Sequence, residues 1–259
     1  MVKIDEIALE DVFNYLAKID NNSIDLAVID PPYNLKQGDW DSFTSSEEFL
    51  NFTYKYLDLL IPKLKKEASL YIFNTAFNSA FILAYLNKRN LFFKNWIIWY
   101  KKDGFSACKK KYVNAQETIL FFTKSEHKYV FNNDDIREPY LSSDRIKAAQ
   151  TKGILKNGKR WFPNPNGKLC PDVWEFSSVR LTNKVHGKTT KQIHPTPKPE
   201  EMIERIIKAS SNPGDLVLDL FSGTGTTAFA CKKLNRHFIG CENNPLYFDF
   251  IKERLKNGN

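Results

Sequence analysis

The stretch AVIDPPYNL, residues 27–35, places an acid, two prolines and a tyrosine directly after a run of apolar residues. Pro31 and Pro32 lack a backbone N–H, and Pro31 also holds Asp30 in an extended conformation. The result is a rigid turn whose carboxylate and carbonyl groups suit an exocyclic amine. Tyr33 adds a face on which a base can stack, worth roughly 1–3 kcal/mol per base. The plain alternative is a strand that ends in a proline turn beside a core tyrosine.

A second strand-like segment ends in DLFSGTGTTAFA, residues 219–230. Gly223 and Gly225 allow a tight turn and a close approach of the backbone to a ligand. Glu242 follows Asp219 at about the 20-residue spacing at which an acid binds ribose hydroxyl groups in nucleotide-binding βαβ units. The segment therefore predicts a nucleoside site. A nicotinamide dinucleotide fits this half of the pattern, and an ordinary strand-to-helix turn is the plain alternative.

The elements that must position these residues alternate between strand and helix. Apolar runs predict strands at 23–29, 68–74, 92–101, 117–124, 216–221 and 237–242. Helical periodicity predicts helices at 44–66, 77–88, 198–210, 226–235 and 245–256. Such alternation is typical of an α/β fold with a mostly parallel sheet that is covered on both faces. Ligands of such sheets bind outside the carboxyl ends of the strands, where Asp30 and Asp219 are expected.

The 259-residue chain carries a formal net charge of +8 and has a sequence pI of about 9.1. A basic balance of this size favours a polyanionic partner or an anionic surface. Four cysteines without CxxC spacing indicate reduced thiols and no zinc site. The N-terminus lacks the apolar region of a signal peptide, and no apolar stretch approaches the ~18 residues of a membrane span. We therefore expect a cytoplasmic protein that holds no metal and does not enter a membrane.

Three motifs together resemble those of the S-adenosylmethionine-dependent amino-methyltransferases of DNA. They are DPPY at 30–33, DLFSGTGTTAFA at 219–230 and GCENNP at 240–245. The DPPY motif precedes the glycine-rich loop, and this permuted order is similar to that of the β-class of the family. The resemblance covers most of the chain outside residues 130–190.

The resemblance implies a Rossmann-like methyltransferase fold with a mostly parallel seven-stranded sheet and a circularly permuted motif order. It divides the chain into a catalytic half at 1–129, an irregular target-recognition insertion at 130–190 and a cofactor-binding half at 191–259. It assigns the catalytic turn to Asp30, Pro31, Pro32 and Tyr33. It assigns S-adenosyl-L-methionine to a site formed by Asp11, Val12, Asp30, Thr196, Lys198, Asp219, Phe221, Gly223, Gly225, Thr226, Glu242 and Asn243.

Double-stranded DNA is the substrate that the resemblance implies, and a basic chain suits it. An amine inside a duplex must be flipped out of the base stack before it can reach a protein-bound cofactor. Two lysine-rich segments are candidates for phosphate contacts, through Lys109, Lys110, Lys111, Lys159 and Arg160. A solvated charged surface is an equally compatible interpretation of both segments. Trp161, in the second segment, is expected in the core rather than as a wedge between bases.

Methyl transfer to the N6 amine of adenine is the preferred hypothesis, because Asp-Pro-Pro-Tyr is typical of adenine enzymes in this family. Cytosine-N4 methyl transfer is the near alternative, since both bases present an exocyclic amine to the same turn. An NAD-dependent dehydrogenase is a remote alternative that leaves DPPY and the lysine-rich insertion unexplained. A DNA-binding module without activity is disfavoured by the two intact motifs. A homodimer and a cognate restriction endonuclease are the candidate protein partners.

Overall fold

The computed structural model describes residues 2–102, 109–179, 182–185, 188–192 and 197–257. Within them the chain forms the α-helices α1 (Val12–Ala17), α2 (Ser46–Leu60), α3 (Ala76–Leu86), α4 (Ser143–Lys152), α5 (Glu200–Ser210), α6 (Thr226–Lys233) and α7 (Pro245–Asn257). The strands are β1 (Glu6–Leu9), β2 (Ile24–Ile29), β3 (Leu64–Asn74), β4 (Phe92–Tyr100), β5 (Gln116–Thr123), β6 (Ile154–Lys156), β7 (Lys159–Trp161), β8 (Val173–Glu175), β9 (Thr182–Val185), β10 (Lys188–Gln192), β11 (Leu216–Asp219) and β12 (His237–Glu242). None of these helices has both the length and the apolar character that a membrane crossing requires.

Eight of the described strands form one sheet in the order β1-β12-β11-β2-β3-β5-β4-β8. Neighbouring strands are parallel throughout, except that β5 runs antiparallel to both β3 and β4. The predicted α/β fold with a mostly parallel sheet is confirmed. The sheet has one strand more than the seven expected, because β8 from the predicted insertion pairs along β4.

The direction of the chain across the sheet changes between β2 and β11, which are neighbours. After β2 the chain continues to β3 on one side, and after β11 it continues to β12 on the other side. Because the two connections leave in opposite directions, a crevice opens outside the carboxyl ends of these strands. Asp30 follows β2 directly, and Asp219 is the last residue of β11. Residues from the two ends of the sequence therefore meet at this crevice.

Helices cover both faces of the sheet, which keeps the strand ends fixed. On β2, Ala27 and Ile29 belong to a core shared with α1, α2 and α3. Leu26 and Val28 point to the other face and belong to a core shared with α5 and α6. All four side chains are at most 2% exposed, as expected for a strand buried on both faces. The predicted catalytic turn at residues 30–33 therefore starts from a rigid base.

Helix α2 ends before the predicted helix boundary. Ser45 caps its start by accepting a hydrogen bond from the Glu48 N–H at 3.1 Å. The helix stops at Leu60, and Pro62, which has no N–H, lies in the short turn that follows. Strand β3 then begins at Leu64. The helix prediction for residues 61–66 is therefore wrong.

The predicted insertion contains short elements of its own rather than irregular chain alone. It carries α4, the β6–β7 hairpin, β8 and a β9–β10 pair. Trp161, which was expected in the core, is 50% exposed at the end of β7. The expectation failed because the β6–β7 hairpin has three residues in each strand and does not join the main sheet.

Candidate active site

A cavity lies at the carboxyl edge of the sheet, where β2 and β11 end. Most of the predicted catalytic and cofactor residues line it, although they come from both ends of the chain. They are Asp11, Val12, Asp30, Pro31, Pro32, Tyr33, Lys198, Asp219, Phe221, Gly223, Thr226, Glu242 and Asn243. Gly225 does not line the cavity but has a φ of 75° directly before α6, a conformation that favours glycine. Thr196 lies outside the described residues.

The catalytic turn holds the Asp30 carboxylate between two donors. The Lys198 ammonium lies 2.7 Å from Asp30 Oδ2, and the Tyr33 hydroxyl donates to Oδ1 at 2.8 Å. Burial raises the pKa of Asp30, and the Lys198 ammonium opposes that shift. Pro31 and Pro32 are buried, which fixes the backbone that follows the acid. Lys198, which the sequence assigned to the cofactor, thus forms an ion pair with the predicted catalytic carboxylate.

Lys198 is almost fully buried, at 7% exposure. The rings of Tyr33, Phe73 and Trp99 surround its ammonium, with centroids at 5.3 to 5.9 Å. Burial disfavours the charge, but the carboxylates of Asp30 and Glu117 outweigh it and raise the pKa of Lys198. Removal of one partner of such a pair leaves a buried charge without compensation, which costs about 3–5 kcal/mol.

Glu117, the second residue of β5, is a cavity residue that the sequence analysis missed. Its Oε2 accepts a hydrogen bond from the Tyr33 hydroxyl at 3.2 Å and lies 3.6 Å from Lys198 Nζ. Its Oε1 pairs with the ammonium of Lys101. Burial would raise the pKa of Glu117, but the two ammoniums outweigh it and lower that pKa. The available signal was an acid at the start of the apolar strand ETILFF.

Asp41 organises the loop after the catalytic turn and was also missed by the sequence analysis. This carboxylate is 1% exposed. It accepts backbone hydrogen bonds, at 2.5 to 3.3 Å, from Tyr33, Asn34, Leu35 and Gln37. Positive φ values at Asn34 and Lys36 turn successive N–H groups toward the same anion. The loop is therefore organised around the buried Asp41 side chain.

The cofactor end of the cavity presents carboxylates that are held by neutral donors. Glu242 accepts hydrogen bonds from the backbone N–H of Gly223 at 2.7 Å and of Asn244 at 2.8 Å. Asp219 accepts one from the backbone N–H of Phe221 at 3.1 Å. Within the described part of the chain, neither carboxylate forms an ion pair with a lysine or arginine. The glycine-rich loop and the acid at the end of β12 are thus joined directly.

The charges at this end discriminate between ligands. Burial raises the pKa of Asp219 to about 7, and it also raises the pKa of Glu242. Glu10 and Asp11 line the same cavity. Glu10 pairs with Lys18, so the acids without an ion pair at this end are Asp11, Asp219 and Glu242 in the described residues. A cationic ligand with hydroxyl donors fits these acids, whereas the pyrophosphate of a dinucleotide would meet like charge. Among the described residues, no group of three or more His, Cys, Asp or Glu side chains could hold a metal ion.

Aromatic rings form the wall of the cavity next to the glycine-rich loop that follows β11. Phe221 packs against Phe52 and Tyr56, with ring centroids 6.3 and 5.3 Å apart. Trp40 and Tyr247 also line the cavity. An apolar wall beside a few polar groups is the usual composition of a site that binds a flat base together with its sugar.

The basic residues that were predicted to contact DNA lie away from this cavity. Lys109, Lys110 and Lys111 are exposed between β4 and β5, and Lys159 and Arg160 are exposed on β7. Arg160 donates a hydrogen bond to the backbone oxygen of Lys152. Exposure is compatible with phosphate contacts and with a solvated surface alike, so their role stays a prediction.

Comparisons with known proteins agree with this geometry. A family model described as DNA methylase matches residues 24–253. The Type II methyltransferase M1.MboII of Moraxella bovis is 58% identical over 99% of both chains. The DNA adenine methyltransferase YhdJ of Escherichia coli (strain K12) is 36% identical, over 95% of this chain and 80% of its own length.

A solved structure connects the cavity to its cofactor. The crystal structure of the M1.HpyAVI–SAM complex is similar with a TM-score of 0.62 and 26% identity, over 96% of this chain and 98% of that chain. Asp219, Glu242 and the aromatic wall fit the sulfonium, the ribose and the adenine of S-adenosyl-L-methionine, which is the cofactor. The chain therefore belongs to the family of N6 and N4 DNA methylases.

Proposed function

We propose that the protein transfers the methyl group of S-adenosyl-L-methionine to the N6 amine of adenine in double-stranded DNA. The observation that carries the proposal is that the DPPY turn and the cofactor loop line one cavity. The cofactor, when bound, supplies an electrophilic methyl group on a sulfonium. The protein then has to place an amine in line with that methyl group, and such placement provides much of the rate.

The hydrogen-bond acceptors of the DPPY turn compensate for the poor nucleophilicity of the amine. The lone pair of an adenine amine is conjugated with the ring, so the nitrogen attacks poorly. In the proposed complex Asp30 accepts one N–H of the amine and the Pro31 carbonyl accepts the other. These bonds favour a more pyramidal nitrogen whose lone pair points at the methyl group. The ring of Tyr33 stacks on the base, and no covalent enzyme intermediate is required.

The carboxylates of the cofactor end have separate proposed roles. Asp219 holds the cationic methionine portion of the cofactor, and Glu242 accepts hydrogen bonds from the ribose hydroxyl groups. Asp11, Val12 and Asn243, which line the cavity, are proposed to contact the nucleoside. Each role follows from charge and hydrogen-bond type, because a carboxylate accepts but does not donate.

The preference for adenine has two supports. The first is the DPPY motif, and the second is the 36% identity to a protein named a DNA adenine methyltransferase. Cytosine presents a similar amine at C4, so an N4-methylcytosine product is the alternative outcome of the experiment below.

The remaining assignments concern the DNA and the protein partners. We propose that residues 130–190 recognise the target sequence, between halves 1–129 and 191–259 that form the catalytic fold. Phosphate contacts are proposed for Lys109, Lys110, Lys111, Lys159 and Arg160. The likeness to Type II methyltransferases supports a cognate restriction endonuclease as a partner in the cell. A homodimer is the proposed assembly.

The test is incubation with methyl-labelled S-adenosyl-L-methionine and unmethylated genomic DNA, followed by mass spectrometry of the nucleosides. Labelled N6-methyladenine is the expected product, and sequencing of the modified positions then gives the recognition site. Labelled N4-methylcytosine would overturn the choice of base. Absence of label in DNA, although the cofactor binds, would overturn DNA as the substrate. Asp30→Ala serves as the control and should transfer no label.

A further inference from the structure

The Tyr33 hydroxyl is shared by two carboxylates that cannot both receive its hydrogen. It lies 2.8 Å from Asp30 Oδ1 and 3.2 Å from Glu117 Oε2. A hydroxyl has one O–H, so it donates to one acceptor at a time. The other contact then brings two acceptor oxygens together with no hydrogen between them. The row of oxygens from Asp30 through Tyr33 to Glu117 therefore lacks one proton.

An amine substrate supplies the missing donor. If an N–H of the amine binds Asp30 Oδ1, the Tyr33 hydrogen can turn to Glu117 Oε2, so that each of the two carboxylate oxygens receives a hydrogen bond. Burial and the two carboxylates raise the pKa of Tyr33 well above its usual range. The phenol therefore stays neutral and can pass a proton on rather than lose one.

The charges around the row are balanced. Two carboxylates, Asp30 and Glu117, face two ammoniums, since Lys198 contacts both acids and Lys101 pairs with Glu117. These four charges sum to zero, so the group of side chains carries one positive charge only while an extra proton is bound.

Two further titratable groups face Asp30 from other elements. They are Asp219 at the end of β11 and the buried hydroxyl of Tyr56 on α2. Neither forms a hydrogen bond with Asp30 or Glu117 in the described residues. The Lys198 ammonium also lies between Asp30 and Glu117, but its raised pKa means that it holds its protons. The group that joins the two carboxylates by hydrogen bonds in the described residues is the Tyr33 hydroxyl.

We propose that Asp30, Tyr33 and Glu117 form a path that carries away the proton released by the methylated amine. The inference rests on the proposed function, because it requires an amine as the substrate. The nitrogen lone pair forms the bond to the methyl carbon while the sulfur–carbon bond breaks and leaves its electron pair on sulfur. The nitrogen then carries a positive charge and both of its hydrogens.

The proton leaves in a second step. One hydrogen moves to Asp30, and the electrons of that N–H bond return to nitrogen as its lone pair. Tyr33 accepts this proton from Asp30 and gives its own to Glu117 Oε2. Glu117 finally releases a proton to water, which restores the starting charges.

The two acids at the ends of the path differ in pKa in the direction that suits capture of the proton at Asp30 and its release at Glu117. Burial raises the pKa of Asp30, so it takes a proton readily, while Lys198 and Lys101 keep the pKa of Glu117 low, so it does not retain one. A protonated Asp30 would present an O–H donor in place of one carboxylate acceptor, and this would weaken its hold on the next amine. Glu117 is therefore a positioning residue that acts through Tyr33 and returns Asp30 to its acceptor form.

The kinetic test uses Tyr33→Phe, which keeps the stacking ring, and Glu117→Gln, which keeps the side-chain size. Single-turnover reactions with a pH-indicator dye record methylation and proton release separately. Each variant should delay proton release by about tenfold or more, within the range of general acid–base effects. Proton release in the double variant should be no slower than in either single variant, because both substitutions interrupt the same path. Additive losses, or proton release that still coincides with methylation, would overturn the path.

A second measurement does not depend on catalysis. Carboxyl-labelled protein without DNA is titrated by NMR, with cofactor affinity measured alongside to confirm the fold. Tyr33→Phe removes the hydrogen-bond donor that the two acids share and should raise the pKa of both Asp30 and Glu117. The matched control is Tyr85→Phe, whose hydroxyl donates to Asp58 at 2.7 Å on the surface and which should affect neither acid. An unchanged pKa of Glu117 in Tyr33→Phe would overturn the path, whereas failure of the unaltered protein to methylate DNA would overturn the proposed function itself.

Discussion

The catalytic end and the cofactor end of the cavity both depend on buried carboxylates, but among the described residues Asp30 and Glu117 at the catalytic end pair with lysines, whereas Asp219 and Glu242 at the cofactor end do not. Lys198 lies 2.7 Å from Asp30, and Lys101 pairs with Glu117. Among the described residues, Asp219 and Glu242 receive hydrogen bonds from neutral groups only. The difference matches the charge that each ligand brings. A neutral amine cannot compensate a buried acid, so the protein supplies lysines, whereas a sulfonium supplies its own charge and a lysine there would repel it.

The largest effect is expected from Asp30→Ala, which removes the acceptor at the catalytic end. Methyl transfer should fall by at least ~100-fold, comparable to the loss of one electrostatic contact to a reacting group. The dissociation constant of the cofactor should change only a few-fold, because the other end keeps its acids. Single-turnover methylation and calorimetry measure the two quantities. Asp58→Asn, a surface carboxylate paired with Arg89, is the matched control and should change neither. Methylation within tenfold of the unaltered rate would contradict the catalytic role.

Glu242→Gln tests the opposite end and should produce the opposite pattern. Loss of one charge-assisted hydrogen bond costs about 1.5–3 kcal/mol, so the dissociation constant of the cofactor should rise roughly 10- to 100-fold. DNA affinity should be unchanged, and so should the methylation rate at saturating cofactor. Calorimetry with the cofactor alone is sufficient as the measurement. An unaltered dissociation constant would remove Glu242 from the site.

Asp41→Ala tests whether the loop of residues 33–41 mainly supports the catalytic end of the cavity. Four backbone N–H groups lose a buried acceptor, so the free energy of unfolding should fall by about 2 kcal/mol and methyl transfer should slow. Ser45→Ala is the control nearby, since it removes only the cap of α2 at a cost of about 1 kcal/mol. Denaturant unfolding and single-turnover kinetics separate the two variants. Equal effects of both on methyl transfer would refute a special role for Asp41.

The pH dependence of cofactor binding in the unaltered protein should follow the protonation of the cofactor end of the cavity and not that of the catalytic end. Burial raises the pKa of Asp219 to about 7, so the protonated, neutral form dominates below that pH and attracts a cation less. Affinity should therefore rise as the pH increases through about 7, and fall up to tenfold per unit below it. Asp219→Asn should flatten the profile, whereas Glu117→Gln should leave it unchanged. A flat profile in the unaltered protein would contradict this account.

The smallest effect is expected from the exposed lysines, which belong to neither end. Replacing Lys109, Lys110 and Lys111 with glutamine should reduce the salt dependence of DNA binding, measured as the slope of the logarithm of the binding constant against the logarithm of the salt concentration. The slope should become shallower by about one unit for each phosphate that the protein no longer neutralises. Cofactor affinity should not change. A charge-matched control replaces the exposed Lys3, Lys88 and Lys252. Equal slopes for both triple variants would identify the first three lysines as solvated surface.

Local patterns in the sequence were sufficient for most of the fold. The strands at 23–29, 92–101, 117–124 and 237–242 and the helices at 77–88 and 245–256 were located within a few residues, because strong apolar periodicity leaves few alternatives. The helix beyond residue 60 and the core position of Trp161 were wrong. In both cases the pattern was weak, and a proline turn or a separate hairpin decided the outcome.

The sequence by itself determined the chemistry of the two ends, because the Asp-Pro-Pro-Tyr turn and the glycine-rich loop are set by residues adjacent in the chain. Only the tertiary structure decided how these ends are supported. The antiparallel β5 brings Glu117 to Tyr33, the start of α5 brings Lys198 to Asp30, and the fold of residues 33–41 buries Asp41. The contacts of Glu117 and Lys198 depend on strand order and register between residues distant in the chain, and those of Asp41 depend on how the loop closes on itself. No spacing rule records such contacts, so the ion pairs that orient the catalytic carboxylate appear only once the sheet is assembled.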